Sequence, residues 1–419
     1  MELKTGYKRT EAGIVPADWL DCTVGDLIKF EGGSQPDKSH FKQSWIPGYT
    51  RLIQIRDYKS NKYETYVPSK LVRRFCEESD IMIGRYGPPV FQILKGISGA
   101  YNVALIKATP ASQINKEYAY YFLKQDSLFT FIDKLSQRSS GQTGVDLKEL
   151  RAYPLSLPPT QVEQEAIAEA LSDADALIES LDQLITKKRQ IKQGAMQELL
   201  SGKRRLPGFS DEWKVKTFGE LFTFSGGYSA SRDQLSTEGY CYLHYGDIHG
   251  STKSSIDAHS EYLNIPKLKI PLKQVSPSSL LKDGDVVFVD ASEDYDGTSR
   301  HIVVVNKGNE PFISGLHTIV AKSKTNELVN EYKQYCFKTP SIHQQFHFYA
   351  VGTKVSGISK TNISKLTLPI PSSPEQVAIA AILSDMDAEL VALESRLAKA
   401  RSIKQGMMQE LLTGRIRLL

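Results

Sequence analysis

The chain reads as an α+β protein: two similar α/β domains joined by two long helices that pair as an antiparallel coiled coil, with pseudo-twofold symmetry. Three observations lead there. The 44-residue segment from Glu163 to Leu206 recurs without a gap from Glu375 to Leu418 with 25 positions identical, where chance would leave about three. Both copies carry apolar residues in a 4-3-4-3 spacing, the beat of a coiled-coil seam. The rest alternates short β-type runs, Gly- and Ser-rich turns and brief helical patterns, a mixture that belongs to α+β domains.

The first domain, expected over residues 1–157, opens with Pro16-Ala-Asp-Trp19, then Gly25, Leu27, Phe30 and Gly32-Gly33. The same frame returns near Trp213 as Gly219, Leu221, Phe224 and Gly226-Gly227, at an offset of 194. The repeated helical segments are offset by 212, so the second copy is longer in its middle. There the matches are sparse: RLIQIRD ending at Asp57 corresponds to YLHYGD ending at Asp247, and DIMIG from Asp80 to DVVFV from Asp285. Strands are expected at RLIQI, DIMIG and NVALIKA in the first domain and at DVVFV, HIVVV and HTIVA in the second, with short helices at EYAYYFLKQ and EYKQYCFK.

The first helical region is expected over 158–204, the second domain over 205–369 and the second helical region over 370–419. The seam runs through Ile167, Leu171, Ala174, Ile178, Leu181, Ile185, Lys188, Lys192, Ala195 and Leu199, and again through Ile379, Leu383, Met386, Leu390, Leu393, Leu397, Ala400, Lys404, Met407 and Leu411. Each helix follows a Pro-containing entry, LPPTQ or IPSSPEQ, which suits a sharp start. A continuous helix of this length spans roughly 60 Å at 1.5 Å per residue. Alone it would expose a long apolar stripe, so pairing of the two is expected, and the pair would act as a ruler between the domains. Two core helices of a larger domain would show the same heptads. Identity also extends to polar positions, Lys187, Arg189, Lys192, Gln193, Gln197 and Glu198 matching Lys399, Arg401, Lys404, Gln405, Gln409 and Glu410. Equal polar faces suggest two equal partners docking by one rule.

At 419 residues, 40% apolar and 24% charged, the chain has material for two or more cores and fits no disorder-dominated class. There is no N-terminal apolar h-region and no apolar run long enough to span a bilayer, so a cytoplasmic protein without a membrane partner is expected. Cys22, Cys76, Cys241 and Cys336 are far apart and form no C-x-x-C, which argues for reduced core thiols and against an all-thiolate zinc site. A net charge of +4 and a pI near 8.6 are compatible with a polyanion partner without requiring one.

Polar and aromatic residues gather in the expected loops of both domains: Gln54, Arg56, Tyr58, Lys59, Arg85 and Tyr86 in the first, and His244, Tyr245, Tyr295 and Arg300 in the second. Arg and Gln can pair bidentately with base edges in a major groove, and Lys and Arg hold phosphates; plain solvated surface has the same composition. Each domain ends in a Gly- and Ser-rich stretch, where Gln142 and Thr143, or Thr353 and Lys354, can bring amides and hydroxyls to phosphate. An ordinary turn before an edge strand accounts for these stretches equally well.

Catalytic signatures are missing. No G-x-x-x-x-G-K-[ST] loop and no G-x-S-x-G elbow occurs, against an ATPase or an α/β-hydrolase. Gly87-Pro88-Pro89-Val90 lacks the polar residue and the aromatic of an amino-methyltransferase motif. His343 and His347 have the spacing of a zinc pair, but Gln344 stands where the Glu of H-E-x-x-H would be. No catalytic residue and no metal ligand is assigned.

The order variable, constant, variable, constant, with LPPTQVEQEAIAEALSDADALI and IPSSPEQVAIAAILSDMDAEL in the constant regions, resembles the specificity subunit of type I restriction-modification systems. IKQGAMQELLSGKRRLPGFSDEW, its second version IKQGMMQELLTGRIRLL and the opening GYKRTEAGIVPADW resemble the same family. The resemblance implies a non-catalytic DNA-binding subunit whose two target-recognition domains each read half of a bipartite duplex target. It also implies that the helices set the spacer and dock two methyltransferase subunits, joined by restriction and translocase subunits. S-adenosylmethionine, ATP and Mg would sit on those partners and no cofactor on this chain. Carried over as docking surface are Glu163, Gln164, Asp173, Asp175, Lys192 and Gln193, with Glu375, Gln376, Asp385, Asp387, Lys404 and Gln405. A coiled-coil scaffold whose two domains bind protein or RNA is the alternative; it predicts no steep salt dependence of duplex affinity.

Overall fold

The computed structural model describes residues 5–138, 144–251, 253–293, 297–352 and 355–418. The chain forms two compact units, Met1–Asp182 with Ser395–Leu419, and Gln183–Glu394. Each contains one α/β domain and stretches of both long helices, α1 (Gln161–Leu199) and α2 (Ser373–Leu411).

In the first unit the strands expected at DIMIG and NVALIKA form an antiparallel sheet in the order Ile28–Gly32, Leu105–Pro110, Ile81–Gly84, Gln92–Leu94. A smaller sheet holds the RLIQI strand, Tyr49–Ile53, parallel to Gly99–Tyr101 with Leu52 opposite Ala100. Helices Lys116–Leu123 and Asp126–Arg138 pack beside them. The N-terminus of the first of these is fixed by Asn115, whose side chain accepts from the N–H groups of Glu117 and Tyr118, a strong N-cap.

The second unit repeats the plan. Its large sheet runs Phe222–Gly226, Thr318–Ser323, Val286–Val289, His301–Val305, extended by Ser255–Asp257, which lies parallel to His301–Val305 within the longer middle of this copy. The small sheet again pairs parallel strands, Tyr240–Leu243 with Phe312–Ser314. Gly33 and Gly227 show why the opening frame is repeated. A Cβ at Gly33 would lie 2.0 Å from the Asn102 carbonyl oxygen, and one at Gly227 would lie 1.7 Å from that of Gly315; only glycine permits that crossing.

The helices pair antiparallel within each unit. Asp182 meets Arg401 and Asp175 meets Lys404 in the first; Lys188 meets Glu389 and Lys192 meets Asp387 in the second. The seam residues Leu181, Ile185, Leu393 and Leu397 are buried. The helix ends join the domain cores. Ile167, Leu171, Leu411 and Leu412 pack with Trp19 and the first domain, and Leu199, Leu200, Ile379 and Leu383 with Phe218, Phe337 and the second. Each fully buried Leu or Ile stabilises by roughly 1.5–3 kcal/mol. Both helices stop at a left-handed glycine, Gly202 with φ 70° and Gly414 with φ 69°, the usual C-terminal signal.

One expectation differs. The stretches before the helices are not simple turns: Leu147–Ala152 forms a helical turn capped by Asp146, and Lys360–Ile363 one capped by Ser359. The capping residues were present in the sequence, but six and four helical residues are too few to show a 3.6-residue period. Cys76, Cys241 and Cys336 are buried thiols and Cys22 is half-buried.

Candidate functional site

Two kinds of site are built twice. The first lies where the parallel strand of each small sheet ends. In the first unit the chain leaves Ile53 into a short 3-10 turn, Ile55–Tyr58, and the Asp57 carboxylate accepts from the Gln54 N–H at 2.9 Å. Burial raises the Asp57 pKa, that hydrogen bond and nearby arginines opposing it. The Gln54 side chain is half-buried and donates to the Thr65 hydroxyl at 3.0 Å. Arg56 is exposed, with its guanidinium 5.6 Å from the centre of the Tyr63 ring. Lys62 lies 5.4 Å from the same ring, and Lys59 is exposed. Tyr63 and Lys62, which the sequence reading did not single out, lie in a second 3-10 turn, Asn61–Tyr63, that brings them beside Arg56.

In the second unit Tyr240–Leu243 ends at His244, whose Nδ1 accepts from the Gly246 N–H at 3.0 Å and caps the helix Tyr245–His249. The Tyr245 ring lies 4.6 Å from His244 and 5.5 Å, edge to face, from His317. Burial, then the nearby Arg232, lowers the His244 pKa. Asp247, the counterpart of Asp57, pairs with Arg232 at 3.0 Å. The turn thus occurs at the same place in both domains and carries different side chains.

Several expected DNA contacts are corrected. Tyr58 packs on the cluster of Ile53, Cys76 and Met82 with its hydroxyl buried, and burial pushes its pKa up; its ring is core, not a reading surface. His244 is only 7% exposed and is spent on its cap. Arg300 is half-buried and turned onto the His249 carbonyl. Arg85 and Tyr86 follow Ile81–Gly84 and are half-buried, the guanidinium 5.3 Å from the Tyr86 ring. Gln142, Thr143, Tyr295, Thr353 and Lys354 lie outside the described residues.

The second kind of site is a polar clamp on the helices. Glu163 accepts two hydrogen bonds from Arg417, each 2.8 Å; Glu375 accepts two from Arg205, 2.7 and 2.8 Å. Gln164 bonds the Asn115 N–H and the Gln113 and Pro158 carbonyls, and Gln376 bonds the Val329 N–H and the Glu327 and Pro371 carbonyls. Asp175 accepts from Tyr121 and Lys404; Asp387 accepts from Tyr335 and Lys192. The expectation that these residues present a docking surface is corrected accordingly. Glu163, Gln164, Glu375 and Gln376 are at most 2% exposed, and Asp175, Asp387, Lys192 and Lys404 are committed to partners inside the chain. Their repeated identity reflects one clamp built twice. Gln405 is exposed and donates to Asp126 at 3.2 Å. Asp173, Asp385 and Gln193 are exposed. A further stripe escaped the heptad reading: Leu177, Leu184 and Ile191, every seventh residue of α1, are 49%, 37% and 47% exposed.

Other chemistry is sparse. His343 lies in the helix Pro340–Tyr349 and hydrogen-bonds Ser299 at 2.8 Å. Among the described residues no group of three or more His, Cys, Asp or Glu side chains is placed to hold a metal ion, and no helix is long and apolar enough to cross a membrane.

Residues 16–192 and 210–400 match the family described as type I restriction modification DNA specificity domain. Two curated relatives span nearly the whole chain. The MjaVIII type I restriction enzyme specificity subunit of Methanocaldococcus jannaschii is 24% identical, covering 98% of this chain and 96% of its own. The MjaIX specificity subunit of the same organism is 20% identical, covering 99% and 97%. Among solved structures, the S subunit of the type I restriction-modification system from M. genitalium superposes with a TM-score of 0.56 at 16% identity, covering 98% of both chains. A chain from a structure on complex assembly and conformational transition of the type I R-M system gives 0.57 at 14% identity, covering 96% of this chain and 99% of its own. These two likenesses establish the fold.

Proposed function

This chain belongs to the type I restriction-modification DNA specificity family, and on that premise we propose that it is the non-catalytic subunit that selects the DNA target of a type I complex. Each domain, taken as 1–157 and 205–369, reads one half of a bipartite duplex target. The helical regions, 158–204 and 370–419, set the unread spacer and dock two methyltransferase subunits, with restriction and translocase subunits completing the complex. Base flipping and methyl transfer to adenine N6, with S-adenosylmethionine, and translocation with ATP and Mg belong to those partners, in the cytoplasm. The observation that carries the reading is the pair of strand-end turns at Gln54 and His244. One backbone position recurs in two domains with different side chains, as two half-sites of different sequence require.

In the first domain Arg56, with Lys59 and Lys62 beside it, is the best-placed side chain to meet a base edge or phosphate. In the second, Tyr245 and Arg232 hold that place. The exposed Leu177, Leu184 and Ile191 offer the apolar contact that a stably docked subunit uses.

The test is to co-express the chain with a methyltransferase subunit of its system and map methylated adenines by single-molecule sequencing. A split motif with a constant gap that appears only when this chain is present is the expected result. Methylation that is unchanged by the chain overturns the reading.

A further inference from the structure

We infer that each recognition domain is positioned by the helix of the opposite repeat: Lys404, in the second repeat, governs reading by the first domain, and Lys192, in the first repeat, governs reading by the second. The inference rests on the half-site reading above and assigns positioning residues to it.

The junctions are built from matching parts. In the first unit the Tyr121 hydroxyl donates to the Asp175 carboxylate at 3.1 Å, and Lys404 donates to the same carboxylate at 2.5 Å. Tyr121 belongs to the domain helix Lys116–Leu123, Asp175 to α1 and Lys404 to α2. One carboxylate therefore ties the domain to its own helix and to the other repeat's helix. In the second unit Tyr335 donates to Asp387 at 3.0 Å, and Lys192 is the second donor. Here the helix roles are exchanged, with Asp387 on α2 and Lys192 on α1. Lys404 also lies 5.7 Å from the Tyr121 ring and Lys192 5.8 Å from the Tyr335 ring, so each lysine touches both the carboxylate and the domain's aromatic.

Two features make these joints directional. The lysine side chains are only 14% and 17% exposed, against 58% and 64% for Arg401 and Arg189 in the neighbouring helix pairs. The aspartate ends are more open, Asp175 at 37% and Asp387 at 38%, so these pairs are shielded on the lysine side only. That still holds their geometry better than a pair exposed at both ends, which contributes little. A second lysine also backs each junction. Lys124 donates to the Tyr120 hydroxyl at 3.1 Å, and Lys338 donates to Ser254 at 2.6 Å. Burial lowers the pKa of both. In each junction the lysine holds Oδ1 of the aspartate and the tyrosine holds Oδ2. Removing Lys404 or Lys192 therefore cuts the tie to the other repeat's helix and leaves the carboxylate, with the tyrosine still bound, free to turn. The strand-end turn belongs to the same domain, so a small rotation of that domain on the two helices would carry over to its reading groups; a shift of about 1 Å can alter rates on the order of a hundredfold.

The experiment maps methylation by the complex containing wild-type chain, Lys404→Met, Lys192→Met, and the conservative Lys404→Arg and Lys192→Arg. The wild type must first yield a bipartite motif; if it does not, the half-site reading fails and the junctions are not at issue. Given that motif, Lys404→Met is expected to relax base preference in the first half-site on the order of tenfold, leaving the second within about twofold. Lys192→Met is expected to do the reverse, and the arginine variants restore most of the loss. General destabilisation would lower total methylation at an unchanged motif, and that outcome overturns the inference, as does equal relaxation of both half-sites. Should Lys404→Met or Lys192→Met fail to assemble, Tyr121→Phe and Tyr335→Phe decide the matter. Each removes one hydroxyl from the same junction, and an unaltered motif in both overturns the inference.

Discussion

In the first unit Glu163 accepts two hydrogen bonds from Arg417, and the buried indole N–H of Trp19 has no acceptor among the described residues. In the second, Glu375 accepts the matching pair from Arg205 and a third from the Trp213 indole at 3.0 Å. The sheets differ more. Where Ile93 lies opposite Ile83 in the first unit, a buried His301 lies opposite Phe288 in the second. Around His301 the rings of Phe218, Phe222, Phe288, Phe337 and Phe346 form a contiguous aromatic core, whereas the first unit has Val24, Ile28, Ile83 and Leu123 at the places of Phe218, Phe222, Phe288 and Phe337. The helix clamp is held constant while the domain interior drifts. Polar residues whose partners come from three elements cannot change one at a time, and apolar cores tolerate exchange at conserved volume.

The core difference predicts the largest effect. Phe337→Ala removes a ring packed against Phe218, Phe222 and Phe288 and should destabilise the second unit by about 3–5 kcal/mol. Leu123→Ala should cost the first unit about 2–5 kcal/mol. Calorimetry of the full chain should show each variant lowering one of two transitions. A single transition lowered equally by both would mean that the units unfold together.

His301 predicts a pH dependence confined to the second unit. Burial depresses its pKa from 6.5 to about 3, with Lys338 and His343 adding smaller repulsion and a Ser299 carbonyl opposing. Because the folded pKa lies below the unfolded one, the unfolded chain binds the proton first as pH falls. Stability is therefore complete above about 6.5 and is lost toward 3; going from pH 7.5 to 5.5 should remove about 1.4 kcal/mol. His301→Ile, which copies the first unit, should remove most of that loss, with His244, whose pKa burial also lowers, leaving a smaller remainder. An acid sensitivity undiminished in the variant would point to other groups.

The clamps predict a smaller, graded difference. Glu375→Ala deprives three donors of their acceptor and Glu163→Ala two, so the midpoint of the second unit should fall by roughly 3–6 °C and that of the first by less. Equal falls would mean that the Trp213 bond adds nothing measurable.

The repeat, the seam and most strands were legible in the sequence because periodicity and near-identity are local signals. DIMIG, HIVVV and HTIVA read as strands, and each forms one. The clamp residues were equally visible, but identity at a polar position has two causes, an outside partner or an inside one. Only the folded chain distinguishes Glu163 on Arg417 from a free surface carboxylate. Tyr58 was misread for a related reason. A tyrosine after a strand has the same signature whether its ring turns inward to Cys76 or outward to a ligand. The stripe Leu177, Leu184, Ile191 was legible in principle, as a second heptad beside the first, but the stronger seam obscured it.

The strand-end turns predict the subtlest effect. Arg56 is exposed beside Tyr63, and its counterpart in the second unit is Gly246, which carries no side chain. If Arg56 reads a base edge, Arg56→Ala should relax the first half-site at one position by about 1–3 kcal/mol of discrimination, leaving the second half-site unchanged. If it holds phosphate, affinity should fall on all sequences alike and the salt slope should drop by about one. Competition binding of the assembled complex at two salt concentrations, with cognate duplex and duplexes altered at single positions, separates the two. The glycine in the second unit gives the comparison its sharper form. Gly246→Arg adds a guanidinium at the matching place, but a Cβ there would lie 2.8 Å from the Arg232 guanidinium, so the second turn should accept the substitution only if Arg232 moves away from Asp247. A changed second half-site in that variant would mean that this turn faces the DNA; an unchanged one in a folded complex would place reading in the second domain elsewhere than in the first.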